Sequence, residues 1–172
     1  MSLIQGFTRQ ETLALTDTTS NQLQYLERQK LVIPQRIGKS RKPTVIYSWE
    51  QILEIRAIKH LRRKNVSSQM IKKIIKFLDK SGVDESLRDK HLIVINNEVF
   101  WVQQDWSDLQ QKIPTIVKIA GKDNANIGQY MLLVIPIFSD IVQEVWKAAK
   151  NSELIDFESF KERAKVNENK IA

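Results

Sequence analysis

Apolar residues in the first eighty positions recur in short bursts of helical spacing, and three bursts open the same way. Thr8 begins TRQE, Thr19 begins TSNQ and Ser48 begins SWEQ, each a hydroxyl residue followed three positions later by Glu or Gln. That is the capping-box pattern, in which the hydroxyl and the later side chain satisfy each other's free backbone amides. It predicts a short helix from Thr8 to about Leu15, with Leu13 and Leu15 pointing inward. It predicts a second over residues 19–28, TSNQLQYLER, with Leu23 and Leu26 inward. A third of about fifteen residues runs from Ser48 to Lys64, where Ile52, Ile55, Ile58 and Leu61 recur every three positions and Leu53 and Ala57 widen the face. Ser67 caps a fourth, with Met70, Ile71, Ile74, Phe77 and Leu78 inside, Lys72, Lys73 and Lys76 outside, and Lys80-Ser81-Gly82 as its stop.

Between the first two helices stands a tight polar turn, residues 16–18. Two short capped helices joined this closely are the helix-turn-helix pattern. After Arg28 the apolar triplet Leu31-Val32-Ile33 runs into Pro34, which ends the helix and starts an extended segment. Residues 35–44 then carry Arg36, Lys39, Arg41 and Lys42 around Gly38 and Pro43, and Val45-Ile46-Tyr47 returns as a strand. An extended piece, a basic loop and a returning strand make a β-hairpin wing.

The second half reads differently. Leu92–Ile95 and residues 99–102 flank Asn96-Asn97-Glu98 as a β-hairpin. Asp105 can cap a short helix ending before Pro114. Residues 115–120 are apolar without a decisive period, 121–128 form a polar loop, and 130–137 read as a buried strand that tolerates Pro136 only near its end or on an edge. Residues 139–150 form an amphipathic helix through Ile141, Val142, Val145, Trp146 and Ala149, and a charged, frayed tail begins at Glu162. The fold class is α+β: an N-terminal winged helix-turn-helix of four helices and a small hairpin wing (1–82), and a small C-terminal α/β dimerisation or effector-like domain (83–172).

Composition narrows the function. The chain has 172 residues, an apolar fraction of 42% and no cysteine, so a packed core is feasible while disulfides and thiolate metal sites are excluded. His60 and His91 are far apart, which argues against a metal sensor, and His60 reads as a packed or partly exposed helix residue. No nucleophile–base pairing or phosphate-binding glycine loop points to catalysis, so no cofactor is expected and the protein is read as a non-enzyme. No signal pattern opens the chain, and its longest apolar run, residues 130–138, is too short to span a bilayer, so a cytoplasmic protein without a membrane partner is expected. Charge is uneven. Residues 1–82 hold sixteen Lys+Arg against six Asp+Glu, net +10, while 83–172 hold eleven against fourteen, net −3. A basic first half points to a polyanion.

The candidate binding residues follow. On the second helix, Thr19, Asn21, Gln22, Gln24, Tyr25 and Arg28 lie off the apolar face, and amides, a phenol and a guanidinium can read base edges and hold phosphates. Arg36, Lys39, Arg41 and Lys42 supply the wing. Residues 19–28 alone also describe an ordinary capped helix with a solvated face; the basic hairpin directly after them favours contact with the phosphates of double-stranded DNA. In the second half, Phe100, Trp101, Trp106, Tyr130, Phe138 and Trp146 could line an effector pocket or fill a small core with a dimer interface. The second reading is preferred, and no small-molecule effector is evident.

Residues 7–82 resemble the N-terminal domain of the mercury-resistance-regulator (MerR) family. The resemblance spans a little under half of the chain and is carried by FTRQETLALTDTT, LQYLERQKLVIPQR and VIYSWEQILEIRAIKHLRRKNVSSQMIKKIIKFL. It implies a winged helix-turn-helix homodimer on a palindromic promoter site, with Thr19 and Asn21 at the start of the recognition helix, Tyr25 and Arg28 near backbone and groove, Arg36 to Lys42 as the wing and Tyr47 as a packed tyrosine closing it. Several positions depart from the family pattern. Gln24 stands where arginine is usual, Leu26 where a second aromatic is, Val45 where the wing arginine falls, and Asp17 where the turn has glycine. The family's long dimerisation helix has no counterpart after Gly82. Without that helix or a visible sensor, the resemblance implies a repressor, of the compact kind the family includes at mobile elements such as CRISPR-associated transposons. Two other classes remain: an architectural, excisionase-like DNA-bending factor, and an antitoxin-type interaction module.

Overall fold

In a computed structural model of the chain, the structure describes residues 5–80, 92–95, 98–104, 114–120, 132–134 and 138–165, with side chains over 5–76 and 140–164. The fold is α+β. Its elements in order are β1 (Phe7–Thr8), α1 (Arg9–Thr16), α2 (Ser20–Arg28), β2 (Gln35–Ile37), β3 (Thr44–Tyr47), α3 (Trp49–Arg63), α4 (Ser68–Lys80), β4 (Leu92–Ile95), β5 (Glu98–Gln104), β6 (Pro114–Ala120), β7 (Leu132–Val134), α5 (Phe138–Asn151) and α6 (Phe157–Lys165). They fall into two compact units, one of residues 1–56 with 142–172 and one of residues 57–141.

All three capping boxes form. Thr8 Oγ1 accepts from the Glu11 amide at 3.3 Å while Glu11 Oε2 accepts from the Thr8 amide at 2.9 Å. Thr19 and Gln22 repeat the exchange at 3.3 and 2.9 Å, and Ser48 and Gln51 at 3.1 Å in both directions. Ser67 Oγ accepts from the Met70 amide at the start of α4. Helix α1 ends on Asp17, left-handed at φ 51°, whose amide donates to the Leu13 carbonyl. The turn thus takes the conformation that favours glycine, with an aspartate in place.

In the first unit, β1, β3 and β2 form a three-stranded antiparallel sheet in the order β1-β3-β2. Phe7 pairs with Tyr47, Gln35 with Ile46 and Ile37 with Thr44. The expected hairpin wing is present, and the lead-in before Thr8 adds a third strand to it. Gly6 lies against this sheet so closely that a Cβ would sit 2.4 Å from Ile46 Cγ2 and 2.9 Å from the Tyr47 carbonyl, leaving no room for any other residue.

The core of this unit takes Phe7, Leu15, Leu23, Leu26, Ile46, Tyr47, Trp49, Ile52, Leu53 and Ile55 from the N-terminal elements. Leu13 is only half-buried; Thr12 and Thr16 are fully buried instead. Their hydroxyls are satisfied by donating to the Thr8 and Thr12 carbonyls one turn back. From the other end of the chain come Val145 and Ala149 of α5, Ile155, and Phe160 and Ala164 of α6. Phe160 is the centre of a ring cluster, with Trp146, Phe7, Trp49 and Phe157 at centroid distances of 5.2, 5.8, 5.8 and 5.9 Å. Such ring pairs are favourable beyond the area they bury.

The frayed tail expected from Glu162 is not observed over its first residues. Helix α6 continues to Lys165, Ala164 is buried, and Arg163 donates to the Ser159 carbonyl and to Glu11. The charges there read as solvated because their partner is some 150 positions away in sequence.

In the second unit a four-stranded antiparallel sheet has the order β6-β5-β4-β7. The expected hairpin is β4–β5, closed with Ile95 opposite Glu98, and the register shifts between Val99 and Phe100. The undecided segment at 115–120 is strand β6, with Pro114 at its first position on an edge, where a missing amide costs no ladder bond. The buried strand expected over 130–137 is described only as β7. The Asp105 helix, the loop at 121–128 and Pro136 lie outside the described residues. Of the second-half aromatics, Trp146 joins the Phe160 cluster, while the side chains of Phe100, Trp101, Trp106, Tyr130 and Phe138 lie outside the described residues.

Candidate nucleic-acid interface

Helix α2 divides its residues as its pattern dictates. Leu23 is 2% exposed and Leu26 7% exposed, which fixes the inner face. Asn21, Gln22, Gln24 and Arg28 are exposed, and Tyr25 is half-buried. Gln24 and Arg28 line an open hollow together with Glu27. Thr19 and Gln22 are exposed too, but both are committed to the cap: Gln22 Oε1 is held by the Thr19 amide, so this amide oxygen orients the helix start. Asn21, Gln24 and Arg28 are the other exposed polar residues among those the sequence singled out on α2.

The start of α2 is pinned from α1. Arg9, the first residue of α1, donates through Nη2 to the Ser20 carbonyl at 2.9 Å and to Ser20 Oγ at 2.8 Å. The turn between the helices is held by Thr18, whose amide donates to the Leu13 carbonyl and whose hydroxyl lies 2.7 Å from that of Thr16. At the other end of α1, Arg56 Nη1 on α3 donates to the Thr16 carbonyl at 3.2 Å, and its Nε lies 3.3 Å from Glu144 Oε2 on α5.

The wing cations do not share one role. Lys39, Arg41 and Lys42 are exposed on the turn between β2 and β3. Arg36, on β2, forms an ion pair with Glu27 on α2. The wing is also tied at its root, where Gln51 Nε2 donates to the Ile33 carbonyl at 2.6 Å. Tyr47, which closes the wing, is 1% exposed. Burial pushes its hydroxyl above the usual value, with Arg9, Glu27 and Arg36 as charged neighbours.

Arg9, Ser20, Glu27 and Gln51 were not singled out as site residues by the sequence. Glu27 carries a signal in retrospect, an acid on α2 nine positions before the first wing cation. Arg9 carries none, because its partner Ser20 becomes a neighbour only when the two helices fold over the turn. Among the described residues no cluster of three or more metal-ligating side chains occurs, and no helix is long and apolar enough to cross a membrane.

Two capped helices over a three-residue turn, followed by a cationic hairpin braced against the second helix, define a winged helix-turn-helix, a nucleic-acid-binding class. Residues 7–78 match the profile of the MerR HTH family regulatory proteins. This segment, a little over two-fifths of the chain, is thus similar to the helix-turn-helix domain of those regulatory proteins. No curated protein matches the chain.

Proposed function

We propose that the protein is a sequence-specific transcriptional repressor that binds a palindromic promoter site in duplex DNA as a homodimer in the cytoplasm. One observation carries the reading: α2 turns Asn21, Gln24 and Arg28 outward over a buried Leu23 and Leu26, and the exposed Lys39, Arg41 and Lys42 sit on a hairpin tied to that same helix by Arg36 and Glu27. The α2 side chains would read base edges in the major groove. The wing cations would hold the adjacent backbone, a contribution that falls steeply with salt. Reading is assigned to residues 1–82 and self-association to the chain beyond them. The test is a mobility shift on the promoter of the protein's own transcription unit, with Tyr25 and Arg28 replaced by alanine. The double variant should lose specific retardation while its melting temperature stays within a few degrees; unaltered promoter affinity would refute the assignment. A footprint over a single palindrome, with transcription rising in a deletion strain, supports a repressor. Tandem footprints at the end of a mobile element would indicate a DNA-bending accessory factor instead.

A further inference from the structure

We propose that Arg163, on the C-terminal helix α6, is a positioning residue for DNA binding: it holds the first turn of α1, and that turn holds the start of α2. The inference rests on the DNA-reading role just proposed.

Two sets of polar contacts meet at the first turn of α1, joined there by the backbone between Thr8 and Arg9. Arg163 Nη1 and Nη2 donate to Glu11 Oε2 and Oε1 at 2.9 and 2.8 Å, the two-pronged geometry that a guanidinium and a carboxylate share. Nη1 also donates to the Gly6 carbonyl at 2.9 Å, Nε to the Ser159 carbonyl at 3.2 Å, and the guanidinium lies 4.5 Å over the Phe7 ring. Both side chains of the pair are largely buried, with 16% and 14% of their surface exposed. Glu11 Oε2 is at the same time the acceptor that caps the Thr8 amide. One carboxylate therefore closes the α1 cap and receives α6. The next residue after that cap is Arg9, which carries the contact on to both oxygens of Ser20 at the head of α2.

Apolar burial cannot do this job. Leu23 and Leu26 decide which face of α2 is inside, but apolar contacts are non-directional and leave slide and tilt to be set by polar pins. Reading a base edge with an amide or guanidinium needs orientation held to a fraction of an ångström, and that precision comes from the shell behind the reading residues. Phosphate contacts tolerate more, since charge attraction is long-ranged and sequence-blind. Arg163 itself is well seated, because Phe160, one turn earlier on α6, is locked among four rings. The C-terminal helix therefore acts on specificity through α1, without meeting the duplex.

The test uses the full chain and two probes: a duplex that the wild type selects from a random-sequence pool, and a scrambled duplex of the same composition. Arg163→Met should bind the selected duplex at least about tenfold more weakly and the scrambled one within about twofold, with an unchanged salt slope because no phosphate contact is lost. Arg163→Lys, which keeps the charge but not the fork, should fall between. Adding Arg9→Met to Arg163→Met should cost less than about twofold more, since both act through the first turn of α1. Hydrogen exchange at the α2 amides should quicken in Arg163→Met. Equal weakening on both probes, selected-duplex affinity within twofold of wild type, or losses that multiply in the double variant would each overturn the proposal. If Arg163→Met does not fold, Arg163→Lys decides, and wild-type selectivity in that variant overturns it. A wild type that selects no duplex rejects the DNA-reading role itself, before any variant is made.

Discussion

Arg36 on the wing and Glu27 on α2 form an ion pair, so a cation expected to meet phosphate is engaged within the protein and an acid stands beside Arg28 on α2. The pair is partly exposed, at 46% and 25% of the side-chain surface, which puts its stability contribution at no more than about 1 kcal/mol. Its larger consequence is electrostatic, since Glu27 repels a polyanion. Glu27→Gln should leave the denaturation midpoint nearly unchanged and strengthen binding to all duplexes several-fold at low salt. Weaker binding in the variant would mean that Glu27 orients the wing more than it opposes DNA.

The exposed wing cations make the opposite prediction. Reversing Arg41 and Lys42 to Glu should weaken selected and scrambled duplexes alike and lower the salt slope by about one to two ions released. Titrations at several salt concentrations measure it; a loss confined to the selected sequence would show that the wing reads bases.

Asp17 occupies a left-handed position at the end of α1, and its negative charge lies at the helix terminus where the backbone dipole disfavours it. Asp17→Gly should relieve both and raise stability by about 1 kcal/mol, as read from denaturant melts. A loss would mean that a contact made by the Asp17 side chain outweighs the strain.

Glu11 sets an acid limit. Burial pushes its carboxyl up, but the hydrogen bonds from Arg163 and Thr8 and the charge of Arg163 outweigh that, and it ends below its ordinary value of 4.5. A carboxyl depressed on folding contributes stability that is complete above its unfolded value and is lost as pH falls through the folded one. Melting temperature should therefore drop below about pH 4.5, and drop less steeply in Glu11→Gln. Parallel curves for the two proteins would remove Glu11 from the acid transition.

What the chain determines by itself is local. The capping boxes at Thr8, Thr19 and Ser48, the leucine spacing of α2 and the Pro34–Gly38 punctuation of the wing act within a few residues, so they are legible without the fold. The same locality exposes the polar face of α2 and the lysines and arginine at the wing tip. Tertiary structure decided what depends on distant partners. Arg36 found an ion-pair partner in Glu27, Thr12 and Thr16 went inside by bonding back along their own helix, and a charged C-terminal stretch became a helix whose Arg163 meets Glu11. A charged or hydroxyl side chain is read as solvated until its partner is known. That partner is a matter of three-dimensional proximity, which spacing along the sequence does not encode.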